Sequence, residues 1–147
     1  MGCTLAGSLT NMIKDIKRTV NPDYLFIEPF ELVVTKEILT ALAMGQRDVV
    51  YEVGPVFALI DAPEFDYLWL ERKQTLINYI SGCHRVAITR VDLVEQEKLE
   101  DIRETLRNEV QVDNALLVSI PENQGIEKVM ADFSRSGHHR IKGNQIP

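Results

Sequence analysis

Four short apolar runs, at residues 24–27, 56–60, 85–89 and 115–120, recur about thirty residues apart, close to the span of a strand–helix–strand unit. Their cores are nearly continuous, as in Phe57-Ala58-Leu59-Ile60 and Leu116-Leu117-Val118. A strand with one wet face alternates apolar and polar residues. An unbroken apolar strand is covered on both faces, which is the habit of parallel sheets.

A helical pattern follows each run. After the first, Thr35 stands where a cap belongs, ahead of Ile38, Leu39 and Leu42, with Gly45 near the end. After the second come Leu68, Trp69, Leu76, Ile77 and Ile80, with Gly82 as the stop. After the third, Leu99, Ile102, Leu106 and Val110 share one stripe; after the fourth, Ile126, Val129, Met130 and Phe133 do the same. One more helix comes first, with Leu5, Leu9, Met12, Ile13, Ile16 and Val20 as its apolar face. The order α-βα-βα-βα-βα predicts an α/β fold: an open, mostly parallel sheet of about four strands with helices on both faces. Residues 1–136 read as one domain, and 137–147 as a loose tail or the start of a linker. Doubly wound nucleotide-binding sheets usually open on a strand and a glycine-rich turn. Here the first element is a helix.

Charge narrows the partners. With 22 acidic and 16 basic residues the net charge is −6, which argues against nucleic acid or an acidic membrane surface as the partner. No apolar run is long enough to span a bilayer. Two cysteines, Cys3 and Cys83, are too few for a disulfide framework and fit a reducing compartment, hence the cytoplasm.

Ligands of open α/β sheets bind beyond the carboxyl ends of the strands. Those ends read Glu28-Pro29, Asp61-Ala62, Thr89-Arg90-Val91-Asp92 and Ser119-Ile120-Pro121. Carboxylates there can hold Mg²⁺ or accept hydrogen bonds from a base; they can equally cap the next helix. Asp92-Leu93-Val94-Glu95 has capping-box spacing, so Asp92 carries both readings. Cys83-His84 supplies at most two metal ligands in an awkward adjacency, and burial at the sheet edge is the expectation for it. The Glu95-to-Asp101 charge run reads as a solvated helix face.

Several of these segments, taken in order, resemble the G domain of CobW-like GTPases, the cobalamin-synthesis-protein type among the metallochaperone P-loop GTPases. Gly2-Cys3-Thr4-Leu5-Ala6 is similar to the family's glycine-led Cys-x-Cys-Cys segment. The stretch Pro22-Asp23-Tyr24-Leu25-Phe26-Ile27-Glu28 is similar to its strand ending in an acid. Phe57-Ala58-Leu59-Ile60-Asp61-Ala62 resembles its Val-Asp-Ala strand end, and Thr89-Arg90-Val91-Asp92-Leu93 its Asn-Lys-x-Asp-Leu base-recognition element. The resemblance implies a P-loop NTPase-like fold, with GTP and Mg²⁺ as cofactors. It implies Glu28 and Asp61 near Mg²⁺, Thr89, Arg90 and Asp92 at guanine, Ser119 in the last guanine-side loop, and Cys3 as a metal ligand.

The departures from the family pattern are specific. The phosphate loop G-x-x-x-x-G-K-[ST], whose amides and lysine cradle phosphates, occurs nowhere in this chain. In the family that loop and its strand precede the cysteine segment, so the fold expected here lacks its first strand. Leu5 and Ala6 stand where two of the three cysteines would, and Phe30-Glu31 replaces a Ser-Gly turn. One thiolate does not make the closed site that Zn²⁺ prefers. Arg90 in place of lysine is not a neutral exchange.

Two functions follow as expectations. One is a partial CobW-like GTPase domain tied to cobalamin synthesis or metal-cofactor delivery, binding guanine nucleotide but not hydrolytic alone. The other is a non-enzymatic GTPase-like interaction module. Either predicts a protein partner or homo-oligomer, because a missing first strand leaves a sheet edge open.

Overall fold

The computed structural model describes residues 2–29 and 35–135, with side chains over 6–29 and 35–134. Two compact units emerge, one ending at Val53 and the other beginning at Gly54.

The first unit is a helical hairpin of α1 (Gly2–Thr19) and α2 (Thr35–Gly45). Both helices occur where the apolar stripes predict them. Ile13 and Ala41 are buried between them, as is Thr10. Thr10 Oγ1 lies 2.7 Å from the Ala6 carbonyl and 3.0 Å from the Ala41 carbonyl, so one proton serves two acceptors and ties the helices together. Beyond α2, the Tyr51 hydroxyl donates to the Leu42 carbonyl at 2.5 Å. Lys14 on α1 pairs with Asp48.

The run at 24–27 does not form a strand. Tyr24 is 79% and Phe26 72% exposed. Strand propensity is realised only beside a neighbour that takes the backbone N–H and C=O groups. The ladder among the described residues is confined to the second unit, so the sheet has three strands rather than about four.

That unit is β1 (Phe57–Asp61), α3 (Phe65–Ile80), β2 (Arg85–Thr89), a 3-10 turn (Val91–Leu93), α4 (Gln96–Val110), β3 (Leu116–Val118) and α5 (Ile126–Arg135). The sheet is parallel throughout, in the order β1-β2-β3. Ala58 pairs with Val86 and Ile60 with Ile88, so these four share a face. They pack with Leu76 and Ile80 of α3 and with Leu99, Ile102 and Leu106 of α4. Fully burying a side chain such as Ile88 or Ile102 contributes roughly 1.5–3 kcal/mol. On the opposite face α5 sets the Phe133 ring 5.2 Å from that of Phe57, and Arg85 Nε donates to Asp132 at 3.0 Å. The α/β class and the parallel, open sheet are as expected. Among the described residues β1 lies at an edge of the sheet, and its Leu59 is 58% exposed.

Candidate functional site

The three strands end side by side, and their carboxyl ends carry four expected residues and one just beyond them. Two backbone-directed bonds lock the ends of β1 and β2. The Ala62 N–H donates to the Thr89 carbonyl at 3.1 Å, one step past the last strand pair. Thr89 Oγ1 donates to the Ile60 carbonyl at 3.2 Å. Thr89 is thus a cross-strand clasp as well as a strand-end hydroxyl.

After Thr89 the chain turns sharply. Arg90 has φ 55° and ψ 38°, the left-handed region, which costs a non-glycine residue about 1–3 kcal/mol when held there. From this position its Nε donates to Asp61 Oδ1 at 2.7 Å. The bond is charge-assisted, but both side chains are partly exposed, so its net worth is at most about 1 kcal/mol. The sequence expectation set Asp61 near Mg²⁺ and Arg90 at a base; the fold brings the two into direct contact.

Asp92 lies within the 3-10 turn. The helix that follows starts at Gln96 with Glu95 as its N-cap, and no side chain caps it. The capping reading of Asp92 therefore fails: the extra turn inserts Val91–Leu93 between the strand and the helix. Asp92 is exposed, and no ion pair among the described residues engages it.

Ser119 follows β3, beside the Thr89 end of β2 in register. It is fully buried. Its Oγ accepts the Glu122 N–H at 3.2 Å, and its backbone exchanges bonds of 2.9 and 3.1 Å with Gln124. The hydroxyl faces the protein and shapes the loop. Gly125 closes that loop with φ +74°, where a Cβ would stand 2.0 Å from the Leu117 carbonyl oxygen. The sequence expectation placed Ser119 in this loop but not its closure at Gly125, although Asn123-Gln124-Gly125 is a turn signal.

The remaining expected residues, Glu28 and Cys3, belong to the first unit. Glu28 is exposed and outside regular structure. Cys3 lies on α1, and its side chain is outside the described residues. Among the described residues no three His, Cys, Asp or Glu side chains converge as a metal site. Cys83 is half-buried and donates to the Tyr79 carbonyl at 3.2 Å. His84 is exposed rather than buried, and its Nδ1 accepts the Val56 N–H at 3.1 Å; Cys83 thus bonds the last turn of α3, and His84 the start of the sheet. Two grooves of about 330 and 300 Å³ line α3–α4 and the start of β2, away from the strand ends. No helix among the described residues is long and apolar enough to cross a membrane.

A family model decides what this arrangement belongs to. The model of the CobW/HypB/UreG nucleotide-binding domain matches residues 1–116. The chain belongs to that family. No curated protein and no solved structure matches it in the corresponding comparisons.

A nucleotide-binding domain needs groups for a base and groups for phosphate with its magnesium. The base end fits: an exposed carboxylate at Asp92, a guanidinium at Arg90 and a buried-serine loop stand on adjacent strand ends. The phosphate and magnesium end does not fit. Asp61 is committed to Arg90, and no loop with an anion-cradling G-x-x-x-x-G-K-[ST] pattern exists in these residues.

Proposed function

We infer that this chain binds guanine nucleotide through its base and is a partial CobW-like G domain serving cobalamin synthesis or metal-cofactor delivery in the cytoplasm. The observation that carries the reading is the Thr89–Arg90–Asp92 turn, exposed at the end of β2 beside the Ser119 loop. The Asp92 carboxylate accepts from guanine N1–H and N2–H₂, a geometry that adenine cannot meet. Arg90 lies over the ring. Ser119 acts through the loop it shapes.

Hydrolysis is not expected of these residues by themselves. Phosphoryl transfer depends on positioning and charge stabilisation, and the loop that supplies both would have to come from other sequence or a partner chain. Glu28 and Cys3 would then act near Mg²⁺ and a transition metal respectively. The deciding experiment is titration of the chain with a fluorescent GTP analogue, wild type against Asp92→Ala. Guanine-selective binding lost in Asp92→Ala supports the reading. No binding sinks it.

A second reading, a non-enzymatic interaction module, is supported by the outer edge of β1. Residues of one parity, Val56 and Ala62, bond toward β2. The backbone groups of Phe57, Leu59 and Asp61 therefore point the other way, where no strand among the described residues pairs with them. An apolar parallel strand whose outer edge is met only in part, by the Tyr79 hydroxyl at the Leu59 N–H, is a template for another strand. A homo-oligomer or a protein partner meeting that edge is the corresponding proposal.

A further inference from the structure

Asp61 closes β1 and Arg90 follows β2; the parallel register sets Asp61 opposite Thr89, one residue before Arg90. The contact of Arg90 Nε with Asp61 Oδ1 at 2.7 Å is thus built by the register of the sheet. It fastens a side chain whose backbone sits at φ 55°, a conformation that L residues rarely adopt. The Thr89 clasp to Ile60 holds the same corner from the strand side.

This pairing changes what Asp61 can do. Magnesium demands a near-octahedral shell of oxygens and sheds water reluctantly. A carboxylate with one oxygen committed to a guanidinium meets an arriving dication beside a fixed positive charge. A guanidinium held at Nε, in contrast, has its plane oriented before a ring arrives, so less freedom is lost on stacking.

We propose that Asp61 is the positioning residue for Arg90 rather than a magnesium ligand, so that the turn after β2 takes a guanine base without Mg²⁺, as free guanosine or as the nucleotide. This rests on the base-end reading above. It adds that ligand affinity is set by the nucleoside and is indifferent to the metal.

The test titrates the full chain with guanosine and with GTP, in EDTA and in Mg²⁺. The proteins are wild type, Asp61→Asn, Arg90→Lys, the double variant and Asp92→Ala. The Arg90 Nε–H resonance is followed without ligand. Guanosine and GTP should bind within about threefold of each other, unmoved by Mg²⁺. Asp61→Asn and Arg90→Lys should each weaken both ligands about two- to fivefold, the scale of a partly exposed pair, and their double variant no further; Asp92→Ala should abolish binding of both. Asp61→Asn should shift the Arg90 resonance; should it fail to fold, Arg90→Lys, which keeps the charge but loses the fork, carries the comparison. A tenfold or greater tightening of GTP by Mg²⁺ that disappears in Asp61→Asn overturns the proposal, while guanosine binding lost in Asp92→Ala would leave the base-end reading standing. Guanosine binding that is absent, or indifferent to Asp92→Ala, overturns both.

Discussion

The backbone N–H of Leu59 donates to the Tyr79 hydroxyl at 3.2 Å. Leu59 is the middle residue of β1, and this N–H points to the strand's outer edge. A helix side chain thus occupies one of the positions that an incoming strand would use. Covering an edge with a side chain or helix is a common defence against strand addition.

Tyr79→Phe should therefore promote association. It removes the hydroxyl and leaves the ring, so the loss of stability should be small, about 1 kcal/mol. Light scattering over a concentration series should show the variant dimerising at lower concentration than the parent. Equal masses at every concentration would show that this edge is not where the chain associates.

An added Cβ at Gly45 would meet the tip of the Tyr51 side chain, so the phenol must shift to admit one. A Cβ on Gly45 would lie 2.3 Å from the Tyr51 hydroxyl oxygen. Gly45→Ala should push the phenol away from the Leu42 carbonyl. Alanine favours a helix over glycine by about 1 kcal/mol, so the net change in stability should be near zero or a loss. The sharper readout is local. Burial raises the Tyr51 phenol above its ordinary value, and a spectrophotometric titration should find it returned toward normal in the variant.

The pH response of the helical hairpin has a definite sign at each end. Because the folded phenol of Tyr51 is raised, unfolding releases its proton more readily at high pH. Its contribution is present below the ordinary value of 10.0 and is lost as pH rises through the raised one. The Asp48 carboxyl is lowered from 3.8, first by its hydrogen bond from Lys14 and then by that charge. Its contribution is present above 3.8 and is lost as pH falls through the lowered value. Lys14→Met should return the Asp48 titration, followed by NMR, toward the ordinary range. An unchanged Asp48 curve would remove Lys14 as the cause.

What was legible in the sequence follows the range of the interactions involved. Phe57-Ala58-Leu59-Ile60 announces a parallel strand because burial on both faces leaves no polar alternation. The stripe of Leu99, Ile102 and Leu106 announces α4 because its period is local. The run at Tyr24–Ile27 misleads, since a strand also requires a ladder partner, and no local pattern supplies one. Asp92 misleads for a related reason. Its spacing to Glu95 suits a cap, yet the left-handed residue at Arg90 inserts a 3-10 turn before the helix. The contact of Arg90 with Asp61 spans 29 residues and exists only through the strand register. Ser119 was readable as a strand-end residue, but its full burial depends on the backbone exchange with Gln124.

That last loop supports a paired prediction. At Gly125 the φ of +74° and a Cβ only 2.0 Å from the Leu117 carbonyl oxygen leave no room for alanine. The obstacle is backbone and cannot swing aside. Gly125→Ala should cost more than the ~1 kcal/mol scale of a compatible glycine exchange, because the loop must rebuild. Ser119→Ala removes the acceptor of the Glu122 N–H and should cost about 1–3 kcal/mol where that group is left unsatisfied. Urea midpoints measure both losses. If the loop shapes a guanine site beside Asp92, each variant should also weaken nucleoside binding although neither residue presents a side chain to the ligand. A Gly125→Ala protein with the parent's midpoint would mean that the loop adopts another path. A lowered midpoint with unaltered guanosine affinity would detach the Ser119 loop from the base site and leave recognition to the turn after β2.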